Sequence, residues 1–158
     1  MSRQGFTVTI DDRALNRLID KAIKTNPQET VKAVKECLWD LAGESAQRAP
    51  IESGDLRNNC TAKLNGATIF ENQTPILAVL VPGLRAIGSV GYSLPYALRQ
   101  HEDLNLRHDR TDGYKRKDGT TVNMVAGGEA KYLEGPFMER KARYIRRMEK
   151  IVKESLRK

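Results

Sequence analysis

Hydrophobic residues at three- and four-residue steps predict two helices in the first third of the chain. The first helix carries a stripe made of Leu15, Leu18, Ala22 and Ile23. The alternating segment at residues 6–10 predicts a strand or extended arm before it, and Asp11 and Asp12 are candidate caps. The second helix carries a stripe made of Val31, Val34, Leu38, Leu41, Ser45 and Ala49, flanked by Trp39. Asn26-Pro27-Gln28-Glu29 is a typical capped helix start, and Pro50 ends the pattern.

The pattern changes between residues 56 and 92. Short β-like runs occupy residues 60–64, 67–70, 76–81 and 86–90. Asn65-Gly66 and Pro82-Gly83 lie between runs, and such pairs favour tight turns. This region therefore predicts an antiparallel meander of three or four strands.

Residues 103–129 form a long polar segment. A loop of this length with little apolar content is usually functional or disordered. Two short β-like runs within it flank Lys117-Asp118-Gly119, which predicts a protruding hairpin.

A third helix is predicted to close the chain, from about residue 129 to residue 158. Its hydrophobic positions are Leu133, Met138, Ala142, Ile145, Met148, Val152 and Leu156. Pro136 either kinks this helix or marks its true start. The order β-α-α-β-β-β-β-α predicts an α+β fold, in which an antiparallel sheet of about four strands packs against two N-terminal helices and the long C-terminal helix. We expect one domain, residues 1–158.

Composition narrows the class of protein. Hydrophobic residues make up 39% of the chain and the mean hydropathy is −0.56. The sequence has no run of about 18 apolar residues and no secretory signal pattern, so we expect a soluble chain made in the cytosol, without membrane contact. Cys37 and Cys60 show neither CxxC nor Cys/His spacing, which predicts buried thiols rather than a disulfide or zinc site.

The positive charge is unevenly distributed. The net charge is +7, and residues 139–158 hold nine Lys and Arg against three Glu, so residues 1–138 are nearly neutral. Candidate contacts to DNA or an acidic partner are Arg140, Arg143, Arg146, Arg147 and Lys150. A solvated helix face, favoured by the helix dipole, explains the same residues and is the interpretation we favour. Long-range attraction to DNA in a channel is a third possibility.

The residues that most resemble a metal site are His101, Glu102, Asp103, His108 and Asp109. The two histidines are seven positions apart, whereas the zinc-protease helix motif needs four. An ordinary polar loop therefore explains them better. The sequence also lacks a glycine-flanked nucleophile and glycine-rich phosphate motifs. We predict no catalytic residue, no metal and no cofactor, so the protein is not expected to be an enzyme.

Three further segments are distinctive, at residues 49–57, 95–102 and 130–134. In the first, Gly54 suits a simple helix-to-strand turn, and Asp55 and Arg57 suit a subunit contact equally well. In the second, Tyr96 is interpreted as a buried ring at the start of a strand.

In order and spacing, these segments resemble tailed-phage minor capsid, head–tail joining (neck) and tail-completion proteins over about residues 30–158. The family pattern of Ala-Pro followed by Ser/Thr-Gly-x-Leu-Arg is matched by Ala49-Pro50 and Ser53-Gly54-Asp55-Leu56-Arg57. Its Tyr-Ala pair followed by an acidic residue is matched by Tyr96-Ala97 and Glu102. Its Ala-Lys-aromatic-Leu is matched by Ala130-Lys131-Tyr132-Leu133. Many relatives place a glycine close after the acidic residue, where this chain has Asp103 and Leu104.

The resemblance implies a structural virion protein of a tailed phage or prophage. Its copies would form a ring, a hexamer or dodecamer, at the head–tail junction as a tail-completion or tail-terminator protein, joining the tail to the DNA-filled head. Implied partners are head-completion, adaptor or portal-side neck proteins and tail-tube or terminator proteins, with nonspecific contact to DNA in the channel and no membrane. It would be made in the host cytoplasm and reside in the virion neck or tail.

Candidate ring-interface residues are Asp55, Leu56, Arg57, Tyr96, Glu102, Lys115, Arg116 and Lys117. The alternative function is a small nucleic-acid-binding module that uses the basic C-terminal helix.

Overall fold

The computed structural model describes residues 6–7, 12–51, 54–77, 85–105, 114–115, 117–119, 121–122 and 128–157. The helices are α1 (Arg13–Thr25), α2 (Pro27–Arg48), α3 (Asp55–Asn59), α4 (Ala97–Glu102) and α5 (Glu134–Ser155). The strands are β1 (Phe6–Thr7), β2 (Thr61–Leu64), β3 (Ala67–Glu71), β4 (Thr74–Pro75), β5 (Gly88–Tyr92), β6 (Tyr114–Lys115) and β7 (Thr121–Val122). The predicted α+β class is confirmed.

Side-chain caps set the starts of the first two helices. The Asp12 carboxylate accepts a hydrogen bond from the Leu15 amide at 2.8 Å, which satisfies one of the unpaired amides of α1. Asn26 ends α1, since its own amide donates to the Ala22 carbonyl, and its side chain caps α2 by accepting from the Glu29 amide. Pro27 occupies the first turn of α2, where its missing N–H costs nothing. Both predicted helix starts are confirmed.

The main sheet has five strands in the order β1-β5-β2-β3-β4, and every pair is antiparallel. Strands β2, β3 and β4 follow one another as hairpins, whereas β5 returns to pair with the free side of β2. The sheet is therefore not the simple meander that the sequence predicts. Asn65 fixes the return, because its side chain accepts from the Ile87 amide at 2.9 Å.

Helix α2 lies against β2, β3 and β5, and α1 and α5 pack together and against α2. The indole of Trp39 donates to the Ile69 carbonyl at 2.7 Å, which ties the edge of the α2 stripe to β3. The core beneath α2 includes Val34, Leu41, Ala46, Leu64, Ile69, Phe70, Val90 and Met148. Within the described residues, no helix is both long enough and apolar enough to cross a membrane.

Several local predictions need correction. Residues 55–57 belong to the short helix α3 rather than to a simple turn, although Gly54 does adopt the left-handed conformation expected of a glycine there, with a φ of 83°. Tyr96 does not start a strand, because helix α4 begins at the next residue, and it is 43% exposed rather than buried. Helix α5 begins at Glu134, so Pro136 lies in its first turn and does not kink it. The predicted hairpin is present as β6 and β7, and residues 8–10 and 78–81 of two predicted strands lie outside the described residues.

The buried side of α5 also differs from the predicted stripe. Met138 and Leu156 are exposed, and the residues that face the core are Pro136, Phe137, Tyr144, Met148, Ile151 and Val152. The stripe is rotated because the Tyr144 ring packs inward while its hydroxyl reaches a carboxylate on α2.

Candidate functional site

The three segments that carry the family resemblance meet at one place in the fold. We call this place the junction and define it by residues 49–51, 54–57, 96–102 and 128–134. The Glu129 amide donates to the Arg48 carbonyl at 2.9 Å, which joins the third segment to the end of α2. The Lys131 amide donates to the His101 carbonyl at 2.7 Å, which joins it to α4. Segments separated by up to 80 positions in the sequence are therefore bonded through their backbones.

Gly128 lets the third segment approach α2 closely. Its φ is 99°, a conformation that residues with a Cβ rarely adopt. A Cβ at this position would lie 2.6 Å from the Pro50 nitrogen and 3.0 Å from the Ala49 carbonyl carbon. These atoms belong to the backbone and cannot move aside as a flexible side chain can. The junction therefore requires glycine at position 128.

Arg57 and Asn59 hold helix α3 in the junction. The Arg57 guanidinium donates through Nε to the Ala49 carbonyl at 2.9 Å. The Asn59 side chain accepts from the Ser93 amide at 2.6 Å and from the Leu94 amide at 3.1 Å, just before α4. Burial lowers the pKa of Arg57. Arg57 therefore stabilises the fold of its own chain.

Tyr132 fills the centre of the junction and is fully buried. Its hydroxyl donates to the Ala97 carbonyl at 2.7 Å. Its ring meets the rings of Tyr92 and His101 edge to face, with centroids 5.1 and 5.0 Å away. Such edge-to-face pairs are worth about 0.5–1.5 kcal/mol beyond burial. Burial raises the pKa of Tyr132, so the hydroxyl stays protonated as a donor.

His101 is a buried part of the junction rather than a surface loop residue as predicted. Its Nε2 accepts from the Glu134 amide at 3.3 Å, so the ring hydrogen lies on Nδ1, 2.6 Å from the Glu102 carboxylate. Burial lowers the pKa of His101, which keeps the ring neutral. The Lys131 ammonium contacts Glu102 and lies 3.0 Å from Glu134, and its hydrogen bond lowers the pKa of Glu102.

The same residues also resemble a metal centre. Among the described residues, His101, Glu102 and Glu134 place potential ligand atoms within 4.8 Å of one another. However, the Lys131 ammonium already bridges the two carboxylates, and both imidazole nitrogens are engaged in hydrogen bonds. A metal ligand needs a free nitrogen lone pair, and here Nε2 uses it to accept a backbone amide. The cluster therefore fits a self-contained ion-pair network better than a metal site.

Of the eight predicted interface residues, Arg57 is partly buried and bonded to Ala49 of its own chain, and the other seven fall into three groups. Asp55, Tyr96, Glu102 and Lys117 are exposed. Leu56 is a core residue with 4% of its surface exposed, so its side chain packs within its own chain. Arg116 and the side chain of Lys115 lie outside the described residues. The interface role of the exposed group stays a prediction.

Sequence reasoning missed an exposed apolar surface beside the junction. Tyr96 (43% exposed), Leu98 (50%) and Leu104 (73%) lie in and around the short helix α4. We call these three residues the α4 surface. Large exposed apolar residues that cluster are typical of interaction sites, whereas scattered ones are normal. The sequence does contain Leu98 and Leu104, but a strand starting near residue 95 and a polar loop after residue 103 gave no reason to expect them to be exposed on one surface.

The arginines of the basic helix have different roles. On the side that faces α2, Asp40 binds Arg140 at 2.7 Å, contacts Arg143 and accepts from the Tyr144 hydroxyl at 2.7 Å. Arg147 pairs with Glu36 of α2. These contacts run antiparallel along α2 and α5. Arg140, Arg143 and Arg147, three of the five predicted DNA contacts, are thus paired with carboxylates inside the molecule.

An apolar cleft of about 510 Å³ lies between α1, α2, α5 and β5. Its walls include Leu15, Leu38, Phe137 and Met148, and Cys37 is its one thiol. Burial raises the pKa of Cys37 to about 11, so the thiol is not ionised near neutral pH. A thiolate is the reactive form of cysteine. The cleft therefore offers packing space without an activated nucleophile.

Comparisons of the chain with protein-family models, with curated proteins and with solved structures found no match.

Proposed function

We propose that this chain is a structural subunit of a tailed-phage neck, where its copies form a ring that joins the tail to the DNA-filled head. The observation that carries the proposal is the meeting of the three resemblance segments at the junction. Residues that are scattered along the sequence make direct contacts there, such as Tyr132 with Ala97 and Gly128 with Pro50. A family motif whose parts form one structural unit is a stronger basis than separate short matches.

The junction supports a role in assembly rather than in chemistry. Its polar groups are engaged with one another, from the Lys131 bridge to the His101 hydrogen bonds. Enzymes instead keep a nucleophile or base available to a substrate. A rigid junction suits a protein that acts through its shape.

The α4 surface gives the proposed ring a contact patch. A closed ring requires a heterologous interface, in which one patch meets a different patch on the next copy. Leu98 and Leu104 supply apolar area at the edge of the junction, and Glu102 lies between them in sequence. Apolar residues with a polar rim are the common composition of interfaces.

The test is complementation in the phage or prophage that encodes the chain. Deleting the gene is expected to give filled heads and separate tails, and the wild-type gene supplied in trans is expected to restore joined particles. The variant Leu98→Asn with Leu104→Asn should fail to restore joining. The matched control, Met138→Gln with Leu156→Gln, changes two equally exposed apolar residues on α5 and should restore it.

Normal infectious particles from the gene deletion would refute the proposed function. If the control pair fails as completely as the α4 pair, the α4 surface is not the contact patch. The protein level of each variant in the host, measured by immunoblot, separates a lost contact from a lost fold.

A further inference from the structure

The cations of α5 that face away from the core form a separate set. Arg146, Lys150, Lys153 and Arg157 are all exposed and recur at steps of four, three and four, so they lie along one side of the helix. This side is opposite to the buried Tyr144, Met148 and Val152. Within the described residues, the one ion pair found in this set joins Lys150 and Glu154 at 3.8 Å, with both side chains largely exposed. Such an exposed ion pair contributes little to stability, and Lys150 stays open to another anion.

Helix α1 carries a second set of the same kind. Arg13, Arg17, Lys21 and Lys24 are exposed and recur at steps of four, four and three, opposite the buried Ala22 and Ile23. In the part of the chain that the structure describes, none of the four forms an ion pair. This set does not show in the net charge of residues 1–138, because carboxylates elsewhere in that range balance its four positive charges.

The two sets lie on neighbouring helices that run in the same direction. The Asp12 carboxylate, at the start of α1, pairs with Lys141 in the first half of α5. The ion pairs Arg140–Glu44 and Arg147–Glu36 show that α2 runs antiparallel to α5, so the start of α2 lies near the later half of α5. Asn26 alone separates α1 from α2, so the end of α1 lies near that half too. Each set spans roughly 16 Å, at 1.5 Å per residue.

We propose that these eight residues, which we call the outer cation face, bind the phosphate backbone of duplex DNA. The face consists of Arg13, Arg17, Lys21 and Lys24 on α1, Arg146, Lys150 and Lys153 on α5, and Arg157 two residues after the end of α5. The carboxylates of these helices are fewer: Asp20, Glu139 and Glu154 are exposed, and Glu134 and Glu149 are partly exposed. Duplex DNA presents about one negative charge per 1.7 Å, so a helix-long row of cations meets many phosphates.

The composition of the face favours duplex DNA over other polyanions. Helix α1 contains no aromatic residue, and the aromatic residues of α5, Phe137 and Tyr144, are buried. Single-stranded nucleic acid is usually held by aromatic side chains on which bases stack. Membrane-surface helices insert an apolar side, but the apolar sides of α1 and α5 face the core. Phosphate contacts alone predict binding without sequence preference.

The inference does not rest on the proposed neck function, because the isolated protein suffices for the test. We would titrate the purified full chain into a fluorescent 30-base-pair duplex and measure anisotropy between 50 and 200 mM NaCl. The wild type is expected to bind at 50 mM NaCl and to weaken steeply with salt. If each of the eight residues neutralises one phosphate, the log–log slope is about −7.

Charge-matched variants localise the contact. The triple variant Arg146→Gln, Lys150→Gln and Lys153→Gln is expected to lose at least tenfold in affinity and to reduce the slope by about 3. The control Lys63→Gln, Arg85→Gln and Arg99→Gln removes the same charge from exposed positions outside α1 and α5 and should stay within about twofold of wild type. Circular dichroism of each variant verifies the fold.

The inference would be overturned by absence of duplex binding at 50 mM NaCl, by an equal loss of affinity in both triple variants, or by tighter binding to a single strand of the same length. Binding to anionic phosphatidylserine vesicles without binding to the duplex would also overturn it and assign the face to a membrane surface.

Discussion

The tight contact at Gly128 gives the sharpest stability prediction for the junction. Substitution by alanine forces a Cβ into a φ of 99°, which costs about 1–2 kcal/mol by backbone strain. The same Cβ would lie 2.6 Å from the Pro50 nitrogen, and relieving such an overlap costs about 1–3 kcal/mol more. Gly128→Ala should therefore lower the free energy of unfolding by about 2–5 kcal/mol.

Two other glycines separate these contributions. Gly119 has a φ of 85°, but a Cβ there would meet no atom of the described residues within 4 Å, so Gly119→Ala should cost only the strain, about 1–2 kcal/mol. Gly43 lies inside α2 with open space around it, and Gly43→Ala should stabilise the protein by about 0.5–1 kcal/mol.

Urea denaturation monitored by circular dichroism measures all three free energies of unfolding. The expected order of stability is Gly43→Ala, wild type, Gly119→Ala and Gly128→Ala. If Gly128→Ala costs no more than Gly119→Ala, the segment after residue 128 does not press against Pro50 and the junction as described is wrong.

Three further predictions concern buried or partly buried polar groups. Asp40→Ala should lower the free energy of unfolding by about 1–2 kcal/mol, because Arg143 and the buried Tyr144 hydroxyl lose their partner, whereas exposed Asp20→Ala should change it by less than about 0.5 kcal/mol. Tyr132→Phe should cost about 1–3 kcal/mol, since the buried Ala97 carbonyl loses its donor. Burial holds the pKa of His101 below its ordinary value of about 6.5, so the unfolded chain binds a proton that the folded chain does not. The stability that His101 contributes should therefore fall as the pH drops through 6.5 toward the folded pKa.

Each of these predictions has a decisive measurement. Equal free energies of unfolding for the Asp40 and Asp20 variants would show that the contacts of Asp40 with α5 contribute nothing to stability. A Tyr132→Phe variant as stable as wild type would mean that water replaces the hydroxyl. For His101, the comparison is the slope of unfolding free energy between pH 7 and 5 in wild type and His101→Gln. Carboxylates with lowered pKa values titrate at a lower pH than this range, so a difference between the two slopes would come from His101. Identical slopes would contradict the prediction.

Helix starts were readable from the sequence because capping is local. Asp12 and Asn26 bond to amides three positions away, and Pro27 has its own fixed backbone geometry. The class of the fold followed from the same short-range periods. Helices α3 and α4 were missed because five or six residues give too few turns to show a period of 3.6.

The junction could not be predicted because its contacts are long-range. The burial of His101 depends on Tyr132 and Glu134, which lie about 30 positions away. A histidine beside glutamate in a polar stretch is ordinarily a surface residue, and its surroundings here come from the third segment. Similarly, the pairing of Arg140 with Asp40 depends on how α2 and α5 pack, so sequence alone could not divide the basic residues into paired and unpaired sets.

The most direct test of the proposed function is to locate the protein in purified particles of the phage that encodes it. Immunogold electron microscopy with an antibody against the chain is suited to this. The proposal predicts label concentrated where the head meets the tail, in a constant number of copies per particle. Intact tailed particles that contain none of this protein would contradict it.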